Sequence, residues 1–365
     1  QGIREIGDIV RYTPGVNTSQ GEGHRDAVVF RGVRSTADFY QDGARDDVQY
    51  YRSLYNVDQV EILRGPNALL FGRGGTGGII NRVTKKAQVG EQFGSFDIGA
   101  DDFGAFDVAF DYNTATGDNS AFRLNVHSDS LENHRDMYDG DRVGFNPTVR
   151  VQMSDATTLD LSYEYADHER FIDRGIPTAN GKPVEALKDV VFGTSDINLT
   201  TLEADIFRGT LTTELSDTSK AIFSLTSSEF EKLYQNLYAS GYDLATNVVT
   251  LDGYRDPTER ENLIFSANLV NELQIGGATH TLLLGAEVVD TDNKNVRYDT
   301  YWSTTQKDKE SFNVSRPLNI ATNSAGVATS VDFTTKLKSS TTSDIEVTSI
   351  YIQDQIDLSD NLVVL

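Results

Sequence analysis

From residue 89 to the end of the 365-residue chain, apolar side chains recur at every second position in long rows, the period of a β-strand. Phe106, Val108, Phe110 and Tyr112 alternate with Asp107, Ala109 and Asp111. Phe122, Leu124 and Val126 alternate with Arg123, Asn125 and His127, and Phe145, Pro147, Val149, Val151 and Met153 with Asn146, Thr148, Arg150 and Gln152. Leu159, Leu161, Tyr163 and Tyr165 form another row, as do Leu263, Phe265, Ala267 and Leu269, and Leu282, Leu284, Ala286 and Val288. Each row keeps charge off one face. A membrane barrel requires this, since Lys or Arg facing mid-bilayer lipid costs about 2–4 kcal/mol. A soluble sandwich alternates too, so alternation by itself leaves both architectures open.

The connections separate them. Short gaps fall at Gly117-Asp118, Ser154-Asp155, Ser216-Asp217-Thr218, Gly276-Gly277 and Ser359-Asp360-Asn361. Between them, after a short first connection at Asp101-Asp102, lie long ones: about Leu131 to Arg142, His168 to Thr201, Tyr234 to Pro257 and Asn293 to Ser343. Short turns alternating with long loops are the pattern of outer-membrane barrels, tight on the periplasmic side and long outside. A sandwich has no reason to lengthen every second connection. Taking 9–11 residues as a spanning strand, this region holds roughly ten strands.

Composition is compatible. Only 38% of residues are apolar, and no stretch approaches the roughly 20 continuous apolar residues of a membrane helix. Asp and Glu outnumber Lys and Arg, 55 to 32, for a net charge of -23. That argues against nucleic acid as partner, because phosphate binding calls for clustered cations. The absence of cysteine removes disulfides, thiolate metal sites and cysteine nucleophiles together.

Residues 1–88 follow a different grammar. Ile3, Ile6, Ile9 and Val10 share one face of a short helix that must stop before Pro14. Short strands follow at Val28 to Phe30, Phe39 to Gln41, Val57 to Leu63 and Ile79 to Thr84, punctuated by Gly32, Gly43 and Gly65-Pro66. Gly72, Gly74 and Gly77 fit the spacing of a dinucleotide fingerprint. That motif opens a helix, whereas Ile79 to Thr84 reads as a strand, so the glycines are expected to serve backbone freedom and close packing. The five histidines are scattered, none at metal-ligand spacing. Asp136, Asp139 and Asp141 begin like a calcium loop but lack its later ligands. The residue classes single out no Ser/His/Asp set.

The run Val60-Glu61-Ile62-Leu63-Arg64-Gly65-Pro66, then Leu70-Phe71-Gly72, Gly77-Gly78-Ile79-Ile80-Asn81 and Val83-Thr84-Lys85, resembles the plug of TonB-dependent receptors. Thr13-Pro14-Gly15-Val16, Phe30-Arg31-Gly32-Val33 and Asp42-Gly43 match earlier plug motifs in order. The resemblance covers residues 1–86. Over the barrel it is thinner, at Leu283-Leu284-Gly285-Ala286-Glu287 and Tyr351-Ile352-Gln353-Asp354. Arg31-Gly32-Val33 with Asp42-Gly43-Ala44-Arg45-Asp46 is most similar to siderophore receptors.

The expected fold is therefore an all-β membrane protein. A mixed α/β plug, residues 1–88, sits inside an antiparallel transmembrane β-barrel whose first part is residues 89–365. A plug of that size has a radius of gyration near 12 Å, too wide for an eight-strand barrel and suited to 22 strands. Further strands downstream, and a signal peptide and TonB box upstream, are expected.

The resemblance implies uptake of a ferric siderophore across the bacterial outer membrane, with the chelate bound by plug apices and outer loops. TonB would act through the upstream box. Iron would be carried as cargo, with no resident cofactor, no metal site and no catalytic residue. Expected ligand contacts are Gln20, Arg34, Tyr50, Tyr51 and Arg52, from three loops near Gln20 to His24, Arg34 to Asp38 and Gln49 to Arg52. Tyrosine stacks on rings and arginine pairs with oxyanions; Tyr50 and Tyr51 would equally pack the plug against the wall. Arg31 and Arg64 match plug arginines that face barrel glutamates in siderophore receptors, with Glu61 as a local partner. The alternatives are a TonB-dependent receptor for another solute such as a cobalamin or a glycan, a receptor that mainly signals, or a secreted β-rich hydrolase.

Overall fold

The computed structural model describes residues 4–10, 12–36, 38–64, 77–359 and 362–364, with the backbone alone for residues 20 and 21. The first part comprises α1 (Ile6–Val10), β1 (Val16–Thr18), β2 (Val28–Phe30), β3 (Val33–Ser35), β4 (Phe39–Gln41), β5 (Ala44–Arg45), β6 (Val57–Arg64) and β7 (Gly78–Thr84). The helix is one turn because Thr13 closes back on Val10 with its N–H, just before Pro14. Asp8 accepts the N–H groups of Arg4 and Glu5 and so completes the turn's start. β1–β2–β3 form a meander, and β5–β4–β7–β6 form a second sheet whose central β4–β7 pair is parallel. Ile6, Val10, Val16, Val28, Phe30, Phe39 and Ile80 make the apolar core between helix and sheets.

The helix and the four expected strands are present. Gly78 shows why glycine was needed: a Cβ there would lie 2.7 Å from the Leu63 carbonyl oxygen and 2.9 Å from the Phe30 ring, with φ at +152°. Gly77 would likewise meet Phe30. A strand, β7, follows them rather than a helix. Gly65-Pro66, Leu70-Phe71-Gly72 and Gly74 lie outside the described residues.

The wall comprises β8 (Phe93–Ala100), β9 (Phe106–Gly117), β10 (Ser120–Glu132), β11 (Asp139–Ser154), β12 (Thr157–Phe171), a small hairpin β13 (Thr178–Ala179) and β14 (Lys182–Pro183), then β15 (Leu199–Ser216), β16 (Ser219–Asp243), β17 (Val248–Ile275), β18 (Ala278–Trp302), β19 (Glu310–Asn313), β20 (Val331–Ser359) and β21 (Leu362–Val364). Apart from the β13–β14 hairpin, which pairs only with itself, and β19, which pairs with β17, each strand is antiparallel to the next in one sheet. Neighbouring elements pair in chain order, as hairpins dictate.

The two faces of this sheet decide its solvent. The apolar rows point away from the plug: Phe96, Ile98, Phe110, Phe207, Phe223, Leu263, Phe265, Leu284 and Val288 are exposed, and Ile350 is 86% exposed. The opposite face is buried and polar, with Arg123, Asn125, His127, Glu164, His168, Arg170 and Arg208 against the plug. Apolar outside and polar inside is the reverse of a sandwich core and the arrangement a bilayer selects. Toward the long-loop end the outward positions turn acidic, and like charges face each other across strands: Glu203 and Glu231, Asp205 and Glu229, Glu229 and Glu261, Asp292 and Asp344. This carboxylate belt marks the end of the apolar band.

Two of the four expected long loops are real, at residues 172–198 and 303–330, and the structure corrects the others. Half of residues 131–142 are strand, with residues 133–138 between strands; residues 234–257 are strand except for 244–247; and the loop expected from Asn293 begins at residue 303. β16, β17, β18 and β20 run 25, 28, 25 and 29 residues, well past the 9–11 that span the apolar band. Beyond that band the outward face meets water, so the hydrophobic period fades while the backbone ladder continues to satisfy its N–H and C=O groups. The extended ends carry their own core, in which Trp302, Phe312, Leu237, Val249 and Leu251 are buried together with Phe192 of the 172–198 loop.

Candidate functional site

The segment between β5 and β6 is built around two buried arginines. Asp46 accepts from Arg52 Nε at 2.8 Å, from Arg82 at 2.8 Å and from the Tyr50 hydroxyl at 2.9 Å. Arg52 also donates to the carbonyls of Asp46, Val48 and Tyr50, and lies 3.9 Å over the Phe39 ring and 4.4 Å over that of Tyr50. Asp26 accepts the Arg52 backbone N–H at 2.9 Å. Burial pushes the Asp26 carboxyl up to about 6, even with Arg52 beside it. At Asp46 burial also pushes upward, but Arg52 and Arg82 together outweigh it and hold the carboxyl below its ordinary value.

From this core, contacts reach the inner face of successive wall strands. Near the short-turn end, Lys85 pairs with Asp111 at 3.1 Å, and Arg123 donates to Asp111 and to the Lys86 carbonyl. At mid-height, Gln41 donates to Glu164 at 3.1 Å; Glu164 also holds Arg208, and Arg82 donates to Gln41. Glu5 pairs with Arg142 at 3.2 Å, Tyr55 stacks on His127 at 4.2 Å, and Arg170 covers Tyr51 at 3.9 Å. Toward the long-loop end, His24 stacks on Tyr234 at 4.4 Å and lies within hydrogen-bond distance of Thr200 and Asn236. Tyr254 donates to Glu22, and Tyr234 to the Gln49 carbonyl. Burial first, then Arg174, Arg25 and Lys232, lower His24 to about 3, so this clasp is made by a neutral imidazole.

These positions sort the expected site residues. Arg52 is 0% exposed and its donors are spent inside the plug, so it has no surface to offer a ligand. Tyr50 and Tyr51 are buried as well, Tyr50 on Phe230 of the wall and Tyr51 under Arg170. For these three the geometry is that of packing, which overturns the expectation of ligand contact: the aromatic and cationic groups satisfy one another. Arg34 is exposed on β3. Gln20 opens a short 3-10 turn, and its side chain lies outside the described ones. Arg31 is exposed with φ at +47°, its N–H donating to the Gly15 carbonyl, and Arg64 donates to the Pro14 carbonyl. Glu61 accepts from Asn81 and Gln59, both at 2.8 Å. Among the described residues no ion pair joins Glu61 to either arginine, which corrects the local pairing: Asn81 on neighbouring β7 occupies it instead.

Sequence reasoning missed the upper inner wall. Arg174 lies 4.6 Å over Tyr238, Arg297 3.9 Å over Tyr254, and Lys232 4.3 Å over Tyr234. Tyr234 and Tyr238 share a face with inward-pointing Phe230, so extending the period-two count past residue 233 would have found them. With Glu22 and His24 of the plug, which meet Tyr254 and Tyr234, they set cations over aromatic faces at the long-loop end. The structure thus combines a stopper with a polar rind, a wall turned inside out, and a cationic, aromatic mouth.

Known proteins share this arrangement. Residues 1–79 match the family model for the TonB-dependent Receptor Plug Domain. The probable TonB-dependent siderophore receptor PiuA of Acinetobacter baumannii is 26% identical over 302 residues, 78% of this chain and 40% of that protein. The catecholate siderophore receptor Fiu of Escherichia coli K12 is 32% identical over 191 residues, 49% of this chain and 24% of that protein. The crystal structure of PiuA superimposes with a TM-score of 0.82 at 21% identity, covering 98% of this chain and 53% of that one. The chain thus spans well under two thirds of the length of these relatives. Residues 1–79 thus belong by sequence to the TonB-dependent Receptor Plug Domain family, and the chain as a whole shares the plug-and-barrel fold of PiuA.

Proposed function

We propose that this receptor takes up a ferric siderophore across the outer membrane. The observation that carries the reading is the upper inner wall, where Arg174, Arg297 and Lys232 lie over tyrosine rings around the plug end that bears Glu22 and His24. Anionic, ring-bearing chelates fit such a surface through charge-assisted hydrogen bonds and stacking. The printed names of PiuA and Fiu, both siderophore receptors, support the same class. In this reading Gln20 and Arg34 contact ligand from the plug, and Arg174, Tyr238 and Arg297 from the wall. Iron is cargo inside the chelate, no resident cofactor takes part, and no bond is made or broken by the protein. TonB supplies the energy through a box outside residues 1–365.

The test is growth under iron limitation of a strain carrying the full-length receptor as its only one, fed ferric chelates of different classes, with and without TonB. Growth on an anionic aromatic chelate that requires TonB is the expected outcome, and combining Arg174→Ala with Arg297→Ala weakens that chelate's binding at least tenfold. Equal growth without any chelate, or uptake of a cobalamin or glycan in its place, removes the siderophore assignment.

A further inference from the structure

Glu22 reaches the wall from a strained turn. It lies in the 3-10 turn Gln20–Gly23 with φ at +72°, and Gly23 follows at +89°. A left-handed φ is sparsely populated by residues with a side chain and persists where the surroundings impose it. Here the side chain supplies the constraint. One oxygen of the Glu22 carboxylate accepts from the Tyr254 hydroxyl at 2.9 Å, and the other faces Arg174 at 3.7 Å. Arg297 lies over the same Tyr254 ring. The Arg174 contact is too long for a hydrogen bond, and the Glu22 side chain is 46% exposed. Exposed pairs of this kind are weak.

Arg174 is held more firmly. It donates to Asn236 at 3.0 Å and lies over the Tyr238 ring. The residues before it are pinned from two sides. Arg135 grips Asp173 at 2.5 Å and the carbonyls of Lys188 and Val190. Ile172 exchanges hydrogen bonds of 3.0 and 2.9 Å with buried Asn198. On the plug side, His24 directly after Gly23 is buried and stacked on Tyr234. When the Glu22–Arg174 pair parts, the piece that moves is therefore Glu22 with its short turn. The groups it engages are those an anionic ligand needs: a guanidinium, a hydroxyl donor, and a second guanidinium over that donor's ring. A carboxylate already seated there draws on the same charge-assisted bonds.

We propose that Glu22 is a built-in placeholder for the anionic group of the cargo. An incoming carboxylate or other oxyanion takes Arg174 and the Tyr254 hydroxyl, Glu22 swings out, and the turn gives up its left-handed φ. A ligand shifts such an equilibrium through its better bonding to one of the two states. Occupancy of the mouth is thereby transmitted to the plug backbone two residues from Asp26, which accepts the Arg52 N–H. The placeholder also sets specificity, because a neutral cargo offers Arg174 nothing in exchange and leaves the turn closed. This rests on the transport reading above, with an anionic cargo.

Glu22→Gln in the full-length receptor tests it. The amide keeps an acceptor for Tyr254 and removes the charge that faces Arg174. Binding of an anionic ferric chelate is expected to tighten at least fivefold, while binding of a chelate whose outer charge is neutralised by esterification changes less than twofold. Unchanged or weaker binding of the anionic chelate means that Glu22 does not compete, and an equal gain for both chelates means that the variant only loosens the turn; each overturns the proposal. A second measurement uses no chelate and so stands apart from the siderophore assignment. Amide exchange of residues 20–24 is followed in malonate and in chloride at matched ionic strength. Malonate is expected to speed that exchange at least fivefold in the parent and less than twofold in Glu22→Gln, whose turn is already released. No response in the parent, or equal responses in the two proteins, overturns the placeholder whichever solute is transported. Opening by malonate in a receptor that binds no ferric chelate upholds the placeholder and removes the siderophore assignment alone.

Discussion

The plug and the wall solve the same accounting problem in opposite ways. In the wall, nearly all backbone polar groups are met by long antiparallel ladders: β18 pairs with β20 and β16 with β17 over most of their lengths. Its side chains are free to be apolar toward lipid and polar toward the lumen. In the plug, strands are two to eight residues long, and the remaining backbone groups are met by single loop-to-loop bonds such as Asp26 N–H to the Tyr50 carbonyl and by side chains, above all by Arg52. The wall is held by a repeating pattern that tolerates single replacements on its inner face. The plug is held by a few irreplaceable groups. A region of the second kind can be remodelled locally while one of the first kind stays fixed.

The sharpest way to break this contrast is Arg52→Met, which removes the arginine beside buried Asp26 and leaves Asp46 with Arg82 as its remaining arginine. Removing one partner of a buried charge network costs about 3–5 kcal/mol. Plug segments should lose hydrogen-exchange protection while wall strands keep theirs; loss in both would mean that the regions fold as one unit. Next comes Leu284→Arg, an outward position well inside the apolar band, with a cost of about 2–4 kcal/mol at mid-bilayer. It should lower the wall's denaturation midpoint in lipid, whereas the inward Ser224→Arg should not. Gly78→Ala comes third, about 1–3 kcal/mol from a Cβ forced against the Leu63 carbonyl, again read as lost exchange protection confined to the plug.

The smallest step is a pH slope. The folded value of Asp26 lies above its unfolded one, so the native plug binds more protons than the unfolded chain between 3.8 and about 6. Its contribution to plug stability therefore rises as pH falls through that window, by at most about 1.4 kcal/mol per pH unit. Asp26→Asn should remove that contribution; an unchanged slope in exchange-derived plug stability would count against the burial of a charged carboxylate there.

Some of this was legible in the amino-acid order. The row Phe106 to Tyr112 faces outward because lipid imposes the period-two pattern directly on the residue types. The plug strands were legible because Gly and Pro separate short β-branched runs. Tyr50 and Arg52 were not, because a tyrosine–arginine cluster looks the same whether it waits for a ligand or satisfies its own chain. The His24 clasp could not be read either, since Thr200 is 176 positions away and nothing local to His24 points to it. The wall's continuation beyond residue 233 was hidden for a third reason: Tyr234, Gln235, Asn236 and Leu237 are all buried, so packing on both faces erases the alternation without ending the ladder.

The carboxylate belt has a consequence for how the protein sits in its membrane. A strand advances about 3.4 Å per residue, so sinking the wall by two residues' length would draw Glu229, Glu261 and Asp292 together toward hydrocarbon. Raising it would bare Ile350 and Val288 to water. The belt and the apolar band therefore act as a waterline, setting one depth of immersion, and the long strand ends above it stand at a constant height over the membrane.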